Sequence, residues 1–257
     1  MRILAIGDVV GQTALATLIS GIRKKRAELG ADLVVVNGEN ATEVRGLCAR
    51  DAHLLADAGV DLITLGNHTY GMRDLYDLLE DESFPMIRPA NFPAAAPGMG
   101  YRTLNVDGYR ILCISVQGVV YMDTLASPFE TVDRILAREK GAYDFALMDI
   151  HAEATSEKLA IAHYFDGRIA VMFGTHTHVQ TADEQILPKG SGYITDLGMT
   201  GPGNGIIGTD AQTVIDRFLT HLPARFTVAD GEITTHGALF DVDEGTGRVR
   251  RVERIVY

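Results

Sequence analysis

Side chains that can bind metal follow five separate apolar runs of this sequence. The runs are short, rich in Val, Ile, Leu and Phe and without polar alternation: RILAIGD, LVVVNGEN, DLITLGNH, FALMDIH and IAVMFGTHTH. This pattern is typical of strands covered on both faces. The side chains at their ends are Asp8, Glu39, Asn40, Asn67, His68, His151, His176 and His178. Residues of these types at strand ends predict a metal site and, with it, a metal-dependent hydrolase.

The ligand types narrow the choice of metal. Carboxylate, amide and imidazole groups together suit Mn, Fe, Zn or Co, and Cys48 and Cys113 lack the spacing of a thiolate site, so we expect two buried or half-buried thiols. A single Asp, Asn or His after a strand is more often a helix cap or turn residue, but eight together favour metal binding. A ligand pool this large predicts two ions roughly 3.5–4 Å apart. Glu39, with two oxygens, could bridge them.

The elements that must position these residues alternate along the first ninety residues. Helices are predicted at Thr13–Leu29, Ala49–Ala58 and Met72–Leu79, each after an apolar run. The order strand, helix, strand implies parallel strands with right-handed crossovers. Ligand sites of open α/β sheets lie outside the carboxyl ends of the strands, so residues distant in sequence are expected to converge there.

The rest of the chain changes character. The proline-rich segment RPANFPAAAPGMG predicts a loop, and YRTLNVDGYRILCISV predicts a hairpin around Asp107 and Gly108 at which a second sheet begins. A helix is predicted at 128–140. The tail from Ala224 to Tyr257 is interpreted as an antiparallel meander, and residues 1–257 are expected to form a single domain.

Several motifs together resemble a known family. They are GDVVG, NGENA, GNHTY, DIHAEATSEK and GTHTHVQTADEQILPKGSGYITDLGMTGP. Their order and gaps resemble the YmdB-like bacterial branch of the calcineurin-like metallophosphoesterases, nearly from end to end. The resemblance implies an α/β fold, a sandwich of two mixed β-sheets flanked by helices, with the metal site at the carboxyl ends of strands.

The resemblance also implies a function and residue roles. It implies a di-metal phosphodiesterase that hydrolyses small phosphodiesters, cyclic nucleotides such as 2′,3′-cyclic or 3′,5′-cyclic AMP, by a metal-activated hydroxide. A cytoplasmic location is predicted separately, because the sequence has no apolar run long enough to span a membrane and begins directly with a strand. His68 would donate the proton to the leaving oxygen. Two divalent or mixed-valence ions, Fe or Mn, would be bound. One would be held by Asp8, Glu39, Asn40 and His178. The other would be held by Glu39, Asn67, His151 and His176.

The chain departs from the wider superfamily at its first two motifs. Asp8 is followed by Val9 and Val10 where the superfamily has Asp-x-His, and Asn40 is expected to fill the place of the missing imidazole. Glu39 stands where the second motif usually has Asp. Glu153 and Glu157 could orient ligands or simply begin a helix. His53, His163, His221 and His236 are expected to be structural or exposed.

Composition limits the partners. A net charge of −11 argues against a long nucleic acid, whereas a small phosphorylated substrate is compatible with it. No apolar run approaches the roughly 20 residues of a membrane span, and the first residues already predict a strand, so no membrane contact or signal peptide is expected. Whether the chain forms a homo-oligomer is left open. Two further functions also stay open, a regulatory nucleotide-binding protein with slow turnover and a phosphomonoesterase.

Overall fold

The computed structural model describes residues 1–257. Its strands are β1 Arg2–Ile6, β2 Asp8–Val9, β3 Leu33–Asn37, β4 Leu62–Thr64, β5 Met86–Ile87, β6 Tyr101–Val106, β7 Tyr109–Gln117, β8 Phe145–His151, β9 Val171–Thr175, β10 Gln185–Ile186, β11 Gly192–Ile194, β12 Met199–Pro202, β13 Ile233–Asp243 and β14 Arg248–Val256. Its helices are α1 Gly11–Leu29, α2 Ala49–Asp57, α3 Tyr76–Leu79, α4 Pro128–Arg138, α5 Thr155–Phe165 and α6 Ala211–Thr220, with a 3₁₀ turn at Arg73–Leu75.

The strands form two mixed sheets. In the first, β1, β3, β4 and β5 are parallel neighbours, and β13 pairs antiparallel with β1, β12 and β14. In the second, β7, β8, β9 and β11 are parallel, and β6 and β10 add antiparallel edges. The predicted sandwich of two mixed sheets is confirmed.

In the central strands of both sheets, alternate residues face opposite layers, and both faces are buried. Ile3 and Ala5 of β1 pack between the two sheets, against residues such as Leu147 and Phe173 of the second sheet. Leu4, on the other face of β1, packs beneath α1 and α2. A third cluster joins the outer face of the second sheet to α4 and α5. The order of layers is therefore helix, sheet, sheet, helix, which explains the apolar strands without alternation.

Most predicted elements lie within two residues of their expected bounds, and the hairpin at Asp107 and Gly108 opens the second sheet as expected. Two expectations are wrong in part. The expected helix at Met72–Leu79 is a 3₁₀ turn followed by a single short helix. The tail contains only the β13–β14 hairpin, because residues 224–226 line a surface pocket instead of pairing in a sheet. None of the helices combines the length and apolar composition needed to cross a membrane.

Candidate metal centre

The predicted site residues lie together where strands of both sheets end. Asp8 begins β2, directly after β1, and His151 is the last residue of β8. Glu39 and Asn40 follow β3, Asn67 and His68 follow β4, and His176 and His178 follow β9. We call seven of these side chains the candidate metal cluster: Asp8, Glu39, Asn40, Asn67, His151, His176 and His178. The parallel strands bring them to one edge because their carboxyl ends point the same way.

His151 is at the centre of the cluster. Its Nε2 lies 2.8 Å from Asn67 Oδ1, 3.1 Å from His176 Nδ1 and 3.2 Å from Glu39 Oε1. Glu39, His151 and His176 also form a group whose ligand atoms all lie within 4.8 Å of one another. A single imidazole nitrogen carries at most one proton and cannot satisfy three facing acceptors at once. A bound cation would satisfy all of them.

The other ring nitrogen of His151 is fixed by a buried relay. His151 Nδ1 lies 2.9 Å from the Thr175 hydroxyl, which donates to Asp149 Oδ1 at 2.7 Å. Because Thr175 uses its proton on Asp149, it accepts the Nδ1 proton of His151, so Nε2 is the ring nitrogen that faces the cluster and that a metal could bind in place of a proton. Asp149 also accepts from Thr64 and Asn37 of the first sheet, so the relay ties the two sheets together.

Sequence analysis missed this relay, although a signal was present. Asp149 is a carboxylate inside the apolar strand FALMDIH, and it precedes His151 by two residues, which places both side chains on one face of β8. Asp149 is fully buried. Burial raises the pKa of Asp149, and His151 and the neighbouring hydroxyl groups oppose that rise. A charged residue in a strand of this kind needs hydrogen-bond partners, and here they orient a candidate ligand.

The two remaining cluster histidines follow the same pattern. His176 Nε2 lies 3.2 Å from Glu153 Oε2, and its Nδ1 faces His151. His178 Nδ1 donates to the Ile207 carbonyl at 2.9 Å, and its Nε2 lies 3.8 Å from Asp8 Oδ1. Each of the three imidazoles thus has one nitrogen held by an acceptor and the other directed into the cluster. This is the usual arrangement of histidine metal ligands.

The loop that carries His176 and His178 is strained and braced. Their φ angles are 97° and 66°, in the left-handed region that non-glycine residues rarely adopt. Asp196 Oδ2 accepts from the backbone nitrogen of Thr177 at 3.2 Å and from its hydroxyl at 2.8 Å. The same oxygen pairs at 2.6 Å with Lys158, whose side chain is 1% exposed. These buried contacts hold the loop in the conformation that aims both rings at the cluster.

Two buried oxygens of the cluster have no hydrogen-bond partner. They are Asp8 Oδ1 and Asn40 Oδ1. The amide nitrogen of Asn40 lies 3.2 Å from Glu39 Oε1 and 3.4 Å from His178 Nε2, and turning the amide over would place its oxygen there. Buried acceptors without partners are rare in folded proteins, and a bound cation would give both oxygens a partner. The residues present therefore fit a metal.

The charges of the cluster depend on one another. Burial opposes ionisation of Glu39, but His151 outweighs that effect and lowers the pKa of Glu39 to about 2. Burial likewise disfavours charge on His151, but Glu39, Asp8 and Asp149 raise its pKa to about 9. Burial and the neighbouring His151 lower the pKa of His176 to about 3. Without metal, a proton on His151 balances the carboxylates at neutral pH, and a cation would take its place.

His68 differs from the other histidines of the site. Its backbone nitrogen donates to Glu39 Oε2 at 3.0 Å, whereas the only side-chain contact of its ring nitrogens is the Asn67 amide nitrogen, at 3.3 and 3.5 Å. No acceptor fixes one ring nitrogen, so the pattern of the three cluster histidines is absent. Burial lowers the pKa of His68, and Glu39 opposes this effect. The side chain lines a pocket of about 490 Å³ that opens from the cluster.

The other predicted residues lie apart from the cluster. Glu157 accepts from the backbone nitrogens of Val119 and Val120 at 2.9 and 3.2 Å, so it braces a loop and contacts no cluster residue. His53 packs edge-on against Phe84, and His236 donates to the Met199 carbonyl. The two cysteines are free thiols.

Gly66, in the GNH motif, makes room for His151. A Cβ at Gly66 would lie 2.2 Å from both Cδ2 and Nε2 of the His151 ring. We expect Gly66→Ala to push the ring from its place and to weaken metal binding on the order of 10–100-fold, while the chain still folds. The metal content per chain after dialysis, together with circular dichroism, would measure this. Gly21→Ala is the matched control, since nothing lies within 4 Å of its Cβ. Equal metal content in both variants would contradict the assignment.

The chain is similar to known proteins over nearly its whole length. Residues 4–255 match the family described as YmdB-like protein. A Bacillus subtilis (strain 168) protein named 2′,3′-cyclic-nucleotide 2′-phosphodiesterase is 44% identical over 256 residues, covering 100% of this chain and 97% of that protein. Both matches extend over nearly the whole chain.

Two crystal structures share the fold closely. A hypothetical protein from Thermus thermophilus has a TM-score of 0.94 at 45% identity, covering 100% of this chain and 99% of that one. A novel phosphatase from Mycoplasma pneumoniae has a TM-score of 0.94 at 32% identity, covering 100% and 93%. The expected family, fold and enzyme class are confirmed. The chain belongs to the YmdB-like family of the calcineurin-like metallophosphoesterases.

Proposed function

We propose that this chain is a two-metal phosphodiesterase whose substrates are cyclic nucleotides, with a preference for 2′,3′-cyclic nucleotides. The observation that carries the proposal is the orientation of three imidazoles, each held through one nitrogen and presenting the other to a space shared with buried carboxylates. The name of the Bacillus subtilis relative supports the substrate class. The whole chain would act as one catalytic unit.

Glu39 would be shared by the two ions. Its Oε1 lies 3.2 Å from His151 Nε2 and 3.2 Å from the Asn40 amide nitrogen, between the two halves of the cluster. One ion would be held by Asp8, Glu39, Asn40 and His178, and the other by Glu39, Asn67, His151 and His176. Nitrogen and oxygen ligands without thiolate suit Fe or Mn. Bound there, the ions would make water a stronger nucleophile and offset negative charge at the phosphoryl group.

The proposed reaction is the hydrolysis of one bond between phosphorus and oxygen in a 2′,3′-cyclic nucleotide. The oxygen of a water molecule bonds to phosphorus, the bond from phosphorus to O2′ breaks, and O2′ receives a proton, which leaves a nucleoside 3′-phosphate. The chain must supply that proton at the mouth of the pocket. His68 lies there, next to the cluster but outside its converging nitrogens.

His68 is suited to donate the proton to O2′. Burial lowers its pKa, so the ring is less often protonated at neutral pH, but a proton that it carries is released more readily than from an exposed histidine. Its backbone nitrogen is held by Glu39, and the Asn67 amide lies against the ring, so its position is linked to two cluster residues. We assign to His68 the role of general acid.

The function is tested with protein loaded with Mn or Fe and a panel of three substrates. We expect adenosine 2′,3′-cyclic phosphate to be converted to adenosine 3′-phosphate faster than adenosine 3′,5′-cyclic phosphate is hydrolysed, and adenosine 3′-phosphate to be stable. Chelation of the metal should abolish turnover. Preferential release of phosphate from the monoester would instead mean a phosphomonoesterase. Tight nucleotide binding without steady-state turnover would mean a regulatory protein.

The role of His68 is tested with His68→Ala. The variant should keep its metal and lose on the order of 10²–10⁴-fold in kcat, the usual contribution of general acid catalysis. A nitrophenyl phosphodiester has a leaving group that needs little protonation, so its hydrolysis should suffer much less. Metal content and kcat on both substrates provide the measurement.

Two outcomes would change this assignment. Loss of metal from His68→Ala would make His68 a ligand. An equal loss of kcat on good and poor leaving groups, with metal retained, would make it a contact that stabilises the charged phosphoryl group. His163→Ala is the control, since that exposed histidine lies on α5 and is not among the residues that line the pocket.

A further inference from the structure

The pocket beside the candidate metal cluster has a neighbouring pocket. The inner chamber, of about 490 Å³, contains cluster residues and His68. The outer chamber, of about 440 Å³, shares Val44, Arg45, Arg217 and Phe226 with it and adds Arg225. Because four residues line both chambers, the chambers are adjacent, and we call them together the groove.

The three arginines of the groove carry unbalanced charge. No carboxylate lies within 4.0 Å of Arg45, Arg217 or Arg225, whereas Arg26 and Arg110 pair with Asp61 and Asp144. Glu43 also lines the outer chamber, beyond ion-pairing distance of all three. The groove of a chain with a net charge of −11 is thus lined by three arginines without a carboxylate partner. Guanidinium groups with free donors are suited to phosphate.

Besides its arginines, the groove has apolar and aromatic lining residues. Ile207, Phe218 and Phe226 line the inner chamber, and Phe218 on α6 is 75% exposed. The Arg217 guanidinium lies 5.8 Å from the centroid of the Phe226 ring. Exposed aromatic rings beside a phosphate site commonly stack on nucleobases. The groove therefore offers a site for phosphate, an apolar surface for a nucleoside and a second site for phosphate.

We propose that the outer chamber binds a second phosphate group, on the 5′ side of the nucleoside whose cyclic phosphate lies at the cluster. This inference rests on the proposed function and narrows it. A 5′-phosphate requires a free O5′, so the cyclic linkage must be 2′,3′, because O5′ of a 3′,5′-cyclic nucleotide is part of the ring. The second phosphate belongs either to a free 5′-phosphorylated nucleotide or to the 3′ end of a short oligonucleotide.

The test compares three substrates for the metal-loaded enzyme. They are adenosine 2′,3′-cyclic phosphate, its 5′-phosphorylated form and the dinucleotide ApA with a terminal 2′,3′-cyclic phosphate. We expect kcat/KM to be on the order of 10–100-fold higher for the two substrates with a second phosphate, which is the usual effect of a hydrogen bond between charged groups. The preference should fall as salt is added. A kcat/KM higher for the dinucleotide than for the 5′-phosphate would identify an oligonucleotide end as the source, and a kcat/KM higher for the 5′-phosphate would identify a free nucleotide.

Arg225→Gln tests the site directly. It should lower kcat/KM about tenfold more for the substrates with a second phosphate than for the one without it, as expected from the loss of one charged hydrogen bond. The control is Arg248→Gln, an exposed arginine without an ion pair that lines a different cavity. Equal kcat/KM for all three substrates would overturn the inference, as would an equal effect of Arg225→Gln on all of them.

Failure of the proposed function is distinguishable from failure of the second phosphate site. If no substrate is turned over, the proposed function fails. The binding of adenosine 3′,5′-bisphosphate and of adenosine 3′-phosphate then decides the second site by itself. The site is supported if the bisphosphate binds more tightly than adenosine 3′-phosphate and if Arg225→Gln removes this difference. Equal affinities would overturn it.

Discussion

The hydrogen bond from His151 Nδ1 to Thr175, and from Thr175 to Asp149, is the contact on which the rest of the site depends. It holds the Nδ1 proton of His151 and so leaves Nε2 as the nitrogen that faces Glu39, Asn67 and His176 and that a metal could bind. Asp149 also accepts from the first sheet, so one buried carboxylate orients the ring and contacts both sheets. A buried charge of this kind is costly unless every partner is in place, and here the partners also orient the candidate ligand.

The same constraint explains the electrostatics of the cluster. Asp8, Glu39 and Asp149 are all buried, and their negative charges need a positive one nearby. In the chain alone a second proton on His151 supplies it. A metal ion would supply the positive charge in place of that proton. The ion would also give a partner to the two oxygens that have none, on Asp8 and Asn40. The strained φ angles of His176 and His178 serve the same arrangement, because Asp196 and Lys158 hold that loop in place.

The sequence predicted the convergence of the cluster because it follows from topology: parallel strands end at one edge, and residues such as Glu39 and His151 come just where strands end. It did not predict the relay through Thr175 or the contact of Gly66 with His151, and it left the role of Glu153 open, since these depend on side-chain packing between segments far apart in the chain. The expected meander failed for a related reason. Residues 224–226 have no pattern that distinguishes a strand from a wall of the groove, and only the placement of α6 beside them decides it.

The most direct test of the account is the number of metal ions bound and their positions, by elemental analysis and anomalous diffraction from protein saturated with Mn. The account predicts about two ions per chain, one beside Asp8 and His178 and one beside His151 and His176, as in two-metal phosphoesterases. In Glu39→Ala both ions should be lost, because the shared carboxylate is gone, and the exposed Glu43→Ala should keep both. A single ion under saturating metal, or the loss of only one ion in Glu39→Ala, would contradict a centre bridged by Glu39.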